Sequence, residues 1–325
     1  MVRPLYTLGT TDIRISPIGL GCWQFSGGKG LAGFYWKAIG QEDVNRIVAA
    51  AIDGGTNWFD TAEAYGKGRS EAALSSALSA AGLGQEAIVA TKWFPMFRFA
   101  GSIGTTFRER LRHLAPYAVT LHQIHHPGSF SSIERQMDEM ADLAESGSIR
   151  AVGVSNFNAD QMRRAHEALE RRGLRLASNQ MRYSLLDRRI ETNGVLETAQ
   201  DLGMTIIAYS PLEQGILTGK FHESEESRAR LAGPRKYLKQ FKSSGLARTT
   251  PLIDTLRRIA GHHEATPAQV SLAWVTQRHG TSVVAIPGAS KVAQAQSNAR
   301  AMGLHLDPEE LEELAETASR VAQQS

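Results

Sequence analysis

Asn57-Trp-Phe-Asp-Thr-Ala-Glu-Ala-Tyr-Gly66 is a short apolar run that stops at an acid, Asp60, with a tyrosine, Tyr65, five residues further on. Two later runs end in the same way. Ile88-Val-Ala-Thr-Lys92 closes on a lysine and Leu121-His-Gln-Ile-His125 on a histidine. Ionisable groups are costly to bury without partners. Buried strands that each finish on one therefore direct their ends at a shared polar site, as strands do at the C-terminal face of an α/β barrel.

Strand-like and helix-like runs alternate on both sides of this stretch. Apolar runs at 18–22, 57–60, 88–92, 119–125, 149–155, 176–180, 204–209 and 282–286 predict strands. Amphipathic spacing predicts helices at 42–53, 70–80, 132–145, 159–171, 195–202 and 267–278, with Asn158 capping the fourth of these and Thr266-Pro267 opening the last. Near-continuous apolar strands alternating with helices indicate a parallel sheet covered by helices. Eight repeats without a Gly-x-Gly-x-x-Gly loop favour a closed (β/α)8 TIM barrel over an open doubly wound sheet. Tyr6-Thr-Leu-Gly and Ile13-Arg-Ile-Ser, around Thr10-Thr11-Asp12, read as an N-terminal β-hairpin that plugs the bottom of the barrel. Residues 213–249 read as a long polar loop of the kind that forms lids, and 307–321 as an extra helix outside the barrel. No low-complexity linker interrupts the chain, so residues 1–325 read as one domain.

Composition narrows the function. The 36 basic residues nearly balance 33 acidic ones, and no basic stripe carries interleaved aromatics, so no nucleic-acid partner is expected. The lone cysteine, Cys22, allows no intrachain disulfide and fits a reducing compartment. No run reaches the ~20 apolar residues of a membrane span, and the first residues lack the apolar core of a signal peptide. A cytoplasmic protein without a membrane partner is the expectation; an oligomer is open.

The polar residues expected at the strand ends are Asp60, Tyr65, Lys92, His125, Ser155, Asn156, Gln180 and Tyr209. A tyrosine with an ordinary pKa of about 10 is a poor acid. A nearby ammonium favours the phenolate and eases proton release. Lys92 supplies that charge, Asp60 holds Lys92, and His125 donates a hydrogen bond to a carbonyl oxygen. The set suits a reaction in which a carbonyl gains a hydride and then a proton. The hydride must come from a cofactor, because no side chain donates one. His125 and His126 point to opposite faces of a strand and lack a carboxylate-rich companion motif, so no metal is expected.

These residues, with Gly153-Val-Ser-Asn-Phe157, Asn179-Gln180 and Ala208-Tyr-Ser-Pro-Leu212, resemble the aldo-keto reductases in order from Leu8 to Asn298. Phe59-Asp-Thr-Ala-x-x-Tyr-Gly-x-Gly-x-Ser-Glu71 is the most specific match. Leu212-Glu-Gln-Gly-Ile-Leu-Thr-Gly-Lys220 is similar to the bacterial general-stress and potassium-channel-β-like branches. The resemblance implies an NADPH-dependent reductase of aldehydes and ketones, with NADH the less favoured cofactor. It makes Tyr65 the general acid, tuned by Lys92 and Asp60, and His125 the group that orients the carbonyl. Ser155, Asn156 and Gln180 take the positions that clamp the nicotinamide carboxamide, Tyr209 the ring that stacks on the nicotinamide, and Asp60 and Trp23 adjoin it. Ser210, Pro211, Leu212, Gln214, Gly215 and Lys220 fall in the segment along the pyrophosphate. Gly288, Ser290 and Lys291 fall where a 2′-phosphate is held, and Gln294 and Asn298 follow near the adenine. Ser290 stands where many relatives carry arginine, and Ser297 where they often carry glutamate.

Trp23, Phe25, Trp93 and His126 are candidate walls of the substrate pocket, with core packing the other reading of the first three. Lys29, Lys37 and Arg98 are positioned to favour an anionic substrate. The channel-β likeness leaves a second function open, a cofactor-binding regulatory subunit with weak turnover. A barrel isomerase or hydrolase without nicotinamide is a third.

Overall fold

A period of two sorts strand residues into one set facing the barrel axis and one facing the helices. The computed structural model of the chain describes residues 4–28, 38–229, 231, 233 and 237–323 and shows both sets. An antiparallel hairpin comes first, β1 (Tyr6–Thr7) with β2 (Arg14–Ile15). Eight strands follow in chain order as a parallel sheet: β3 (Leu20–Gly21), β4 (Trp58–Asp60), β5 (Ile88–Trp93), β6 (Leu121–Ile124), β7 (Ala151–Ser155), β8 (Leu176–Arg182), β9 (Thr205–Tyr209) and β10 (Val283–Ala285). Parallel bridges from Ile18 to Ala285 and Gly21 to Gly288 join the first and last strands and close the barrel. All eight expected strands are present, several of them shorter than their apolar runs.

Helices α1 (Gln41–Asp53), α2 (Arg69–Ala80), α3 (Ser102–Leu114), α4 (Ile133–Glu145), α5 (Ala159–Glu170) and α6 (Val195–Asp201) follow β3 to β8 in turn. After β9 come α7 (Lys220–Glu223), α8 (Glu225–Ala229), α9 (Ser243–His262) and α10 (Pro267–Gln277); α11 (Val292–Arg300) and α12 (Pro308–Gln323) follow β10. Asn158 and Thr266 both build reciprocal capping boxes, with Gln161 and Gln269 respectively. Two stretches differ from expectation. The supposed loop at 213–249 contains short helices and the first turns of α9, a 20-residue helix that runs through Pro251. Its buried Leu246, Thr249, Leu252, Ile253, Leu256 and Ile259 recur at helical spacing and hold it against the barrel. The stretch after β5, where no helix was predicted, turns helical at Ser102.

The hairpin supplies the floor. Leu8, Ile13 and Ile15 pack with Trp58, Ala90, Leu121, Ala151, Ala177, Ile207 and Val284, the axis-facing residues near the strands' N-terminal ends. Trp58 Nε1 donates to Ser16 O at 2.9 Å, so the large indole is both packed and satisfied. Gly9 has φ +56° and lies so close to β8 that a Cβ there would sit 2.5 Å from Ala177 O. The left-handed backbone alone costs a side chain about 1–2 kcal/mol. Gly9→Ala should therefore lower unfolding stability by at least about 1–2 kcal/mol, read as a lower urea midpoint at unchanged slope. An unchanged midpoint would contradict this account of the plug.

Candidate active site

One step up the barrel from the floor, the same alternation determines which side chains point inward. Asp60, Lys92 and Gln123 lie two residues beyond Trp58, Ala90 and Leu121 and therefore share their face. The register pairs Lys92 with Gln123 across β5 and β6, and Ser155 with Gln180 across β7 and β8. Lys92 is fully buried; its ammonium donates to Asp60 Oδ1 and, at 2.9 Å, to Thr61 O. Asp60 Oδ2 accepts from Gln123 Nε2 and Gln180 Nε2, both at 3.0 Å. Gln123 was not singled out in the sequence, where it reads as one polar residue inside an apolar strand; Asp60 is its reason for being there.

Tyr65 reaches the site from the turn after β4, pinned by the bond from Thr61 N to Ala90 O at 2.8 Å. Lys92 Nζ stands 5.2 Å from the centre of its ring. The Tyr65 ring meets the His125 ring edge-on at 5.8 Å, and Trp23 tilts over it at 6.3 Å. The phenol pKa lies above its ordinary value: burial dominates, Lys92 pulls it down, and Asp60 pushes it up. This corrects the expectation that Lys92 makes the group acidic, because water lost from around a phenolate outweighs one ammonium that already serves a carboxylate. Lys92 itself is held above its ordinary value: burial works against its charge, and Asp60 and Tyr65 together outweigh it. Burial, then Lys92 and His126, push His125 down to about 3, so the imidazole is neutral. Burial and Asp60 raise the Cys22 thiol well above its usual range despite Lys92, and Cys22 is a closed wall residue.

Above this layer, Tyr209 OH donates to Asn156 Oδ1 at 2.9 Å, Asn156 Nδ2 to Ser155 Oγ at 3.0 Å, and Ser155 Oγ to Gln180 O at 2.9 Å. Asn156, Ser210, Glu213 and Gln214 all adopt positive φ without being glycine. Such backbone is costly and clusters where a site demands it. Asn156, Ser210 and Gln214 border a cleft of about 760 Å³. Its lining brings together Trp23, Asp60, Tyr65, His125, Ser155, Asn156, Gln180 and Tyr209 with Ser210, Pro211, Leu212, Gln214, Gly215, Lys220, Gly288, Ser290, Gln294 and Asn298. Asn298 Nδ2, Gln214 Oε1 and Gln24 Oε1 are buried there without a hydrogen-bond partner.

Other candidates fall elsewhere. Trp93 alternates with Lys92, so it faces the helices, fully buried, and donates from Nε1 to Ser102 Oγ at 3.2 Å. Phe25 is buried in the same outer core. His126 is exposed outside the cleft, its Nδ1 accepting from Gly128 N at 3.1 Å. Lys291 is exposed at the start of α11, beside Ser290 but off the lining. Arg98 is ion-paired with Glu63 at 2.5 Å, which commits its charge. Lys29 and Lys37 lie outside the described residues. Arg182, not anticipated, lines the cleft and is tied to the buried Glu213, from Nε at 3.1 Å and from its NH2 group. Among the described residues, no three His, Cys, Asp or Glu are grouped to hold a metal, and no helix is long and apolar enough to cross a membrane.

The profile of the aldo/keto reductase family matches residues 17–319. The chain belongs to the aldo/keto reductase family. Among curated relatives, an uncharacterized oxidoreductase of Mycobacterium tuberculosis is 37% identical over 94% of this chain and 90% of its own. Pyridoxal reductase of Arabidopsis thaliana chloroplasts is 32% identical over 92% of this chain and 82% of its own. Glycerol dehydrogenase from Gluconobacter oxydans superposes with a TM-score of 0.84 at 27% identity, covering 98% of this chain and 96% of that one. As an aldo/keto reductase, the protein is an oxidoreductase enzyme of the (β/α)8 class that works with a nicotinamide cofactor.

His125 sets a pH test. The native ring refuses a proton until about pH 3, whereas an unfolded histidine takes one near 6.5. Its contribution to stability is thus complete above about 6.5 and drains away as pH falls toward 3. His122, pushed down to about 3 by burial and Arg110, acts in the same sense. Ring ¹⁵N NMR should find His125 neutral at about pH 5, and the urea midpoint should fall between neutral pH and that point. A His125 resonance titrating near 6.5 would refute the assignment.

Proposed function

We propose that the enzyme reduces aldehydes or ketones to alcohols with NADPH, Tyr65 delivering the proton. The observation that carries the reading is a buried ammonium, Lys92, fixed by Asp60 within 5.2 Å of the Tyr65 ring, with the neutral His125 ring against that tyrosine at 5.8 Å. All but Lys92 border one cleft.

When bound, the nicotinamide supplies the hydride that the carbonyl carbon receives. The chain's residues do the rest. A neutral His125 offers an N–H to the carbonyl oxygen without bringing a second full charge beside Lys92. Tyr65 gives its proton to that oxygen as negative charge develops, and Lys92 stabilises the phenolate left behind. A raised phenol pKa keeps the donor protonated until that moment. Asp60 keeps Lys92 in place without touching substrate.

The cleft residues fit a dinucleotide. Its volume of about 760 Å³ lies in the range of cofactor sites. The orphaned amide of Asn298 supports an adenine there, since a buried donor calls for an acceptor. Gln180 has its Nε2 engaged by Asp60, which leaves Oε1 for the carboxamide. At Gly288 a Cβ would lie 2.1 Å from the Gln24 amide, and the missing side chain keeps that wall thin. For NADPH over NADH, the support is Lys291, a cation at the N-terminus of the nine-residue α11 beside Ser290.

Tyr65→Phe should lower reduction of a generic aldehyde such as 4-nitrobenzaldehyde by about 10²-fold or more, with NADPH affinity held within about twofold; retained turnover removes Tyr65 from the mechanism. Reduction by the wild type needs the phenol protonated. Its raised pKa therefore predicts a rate level through neutral pH that falls only in the alkaline range, while alcohol oxidation climbs with pH. A reduction rate that declines through neutrality would contradict it. Lys291→Ala should weaken NADPH roughly tenfold or more, the size of one charge-assisted bond, and leave NADH unchanged; equal losses for both cofactors would move the 2′-phosphate elsewhere.

A further inference from the structure

Glu63 is a carboxylate that the proposed chemistry does not use, yet it is 6% exposed and sits two residues before Tyr65. A buried charge of this kind requires partners, and Glu63 has three. Its Oε1 accepts from Phe94 N at 2.6 Å and Arg98 NH1 at 2.5 Å, and its Oε2 from the buried Arg110 NH1 at 2.6 Å. One side chain thereby ties the turn that carries Tyr65 to the end of β5 and to α3.

His125 shows what the tie is for. A working histidine is ordinarily oriented by a hydrogen bond to its second ring nitrogen. His125 Nδ1 is buried and has no such partner. Its ring is held by two others instead, Tyr65 edge-on at 5.8 Å and Phe94 edge-on at 5.7 Å, with interplanar angles of 82° and 78°. Phe94 donates its backbone N–H to Glu63 Oε1, and Tyr65 shares a turn with Glu63. The two rings that confine His125 are thus anchored on one carboxylate.

We infer that Glu63 and Phe94 are positioning residues that hold the His125 imidazole in the direction needed to meet the carbonyl oxygen. The inference rests on the carbonyl-reductase reading of the site. It departs from that reading in assigning the orientation of His125 to packing anchored by Glu63. Neither residue donates a proton or binds the cofactor. Their loss should therefore slow the chemical step and spare cofactor affinity.

The test uses the full-length enzyme with NADPH and 4-nitrobenzaldehyde. Phe94→Leu removes the ring contact and leaves the ion cluster intact; Glu63→Gln keeps an acceptor for Phe94 N and removes the charge that holds Arg98 and Arg110. Phe94→Leu should lower kcat by roughly tenfold to a hundredfold, the cost of a small misplacement. Glu63→Gln should lower it in the same direction. In both, the NADPH dissociation constant read from protein fluorescence should stay within about twofold, and the deuterium isotope effect on kcat should rise with 4-deuterated NADPH as hydride transfer becomes limiting. Thermal melts establish that each variant is folded at the assay temperature. If Phe94→Leu keeps kcat and the isotope effect of the wild type, the inference fails, whatever Glu63→Gln does. If only Glu63→Gln is silent, Glu63 loses its role and Phe94 keeps it. Tyr65→Phe separates the two levels: activity retained there sinks the reductase mechanism, and activity lost there with Phe94→Leu intact sinks only the clamp.

Discussion

Lys92 is an ammonium with no access to water, and it exists in that place only because Asp60 does. Removing one member of such a pair leaves an uncompensated buried charge, at a cost of about 3–5 kcal/mol. The pair reaches further than its two residues. Asp60 is on β4, Lys92 on β5, Gln123 on β6 and Gln180 on β8, so four strands must hold register for one carboxylate to keep its contacts. A slip of one residue in any of them would turn its member outward to the helices. The barrel's alignment and its chemistry are consequently specified by the same hydrogen bonds.

Much of this was legible in the chain. Runs that stop on Asp60, Lys92 and His125 announce strand ends, and the period of two then says which residues share the interior. The same rule places Trp93 outside, since it directly follows Lys92, and it excludes Trp93 from the pocket on grounds available without coordinates. Phe25 offered no comparable signal, because the short turn from Trp23 to Ser26 has no strand periodicity. Other elements were hidden by their own function. Arg110 interrupts the apolar face of α3, where it answers Glu63 and Glu71, and a charged residue on the buried side hides the amphipathic spacing by which a helix is read. Gly245 and Pro251 mimic a break in α9. The helix persists because its buried leucines and isoleucines outweigh local propensity. Glu63 looked like one more polar residue in a turn, since nothing in the sequence shows that two arginines converge on it.

The tyrosine is where physical intuition from sequence pointed the wrong way. An ammonium beside a phenol invites the conclusion that the phenol ionises easily. Inside the barrel, the loss of water and the presence of Asp60 outweigh Lys92, and the phenol is held above its ordinary value. In the proposed mechanism a proton donor profits from this, because it must arrive protonated. In that mechanism the ammonium matters chiefly after transfer, when there is a phenolate to stabilise.

The hairpin of β1 and β2 was described as a floor, and its position has a practical side. The chain enters the barrel at Pro4 and Leu5, both exposed, on the face opposite the cleft. A reporter, affinity handle or solid support joined there approaches the molecule from behind. Cofactor and substrate would still enter and leave by the open mouth, so an immobilised catalyst anchored on this face keeps its working surface toward the solution.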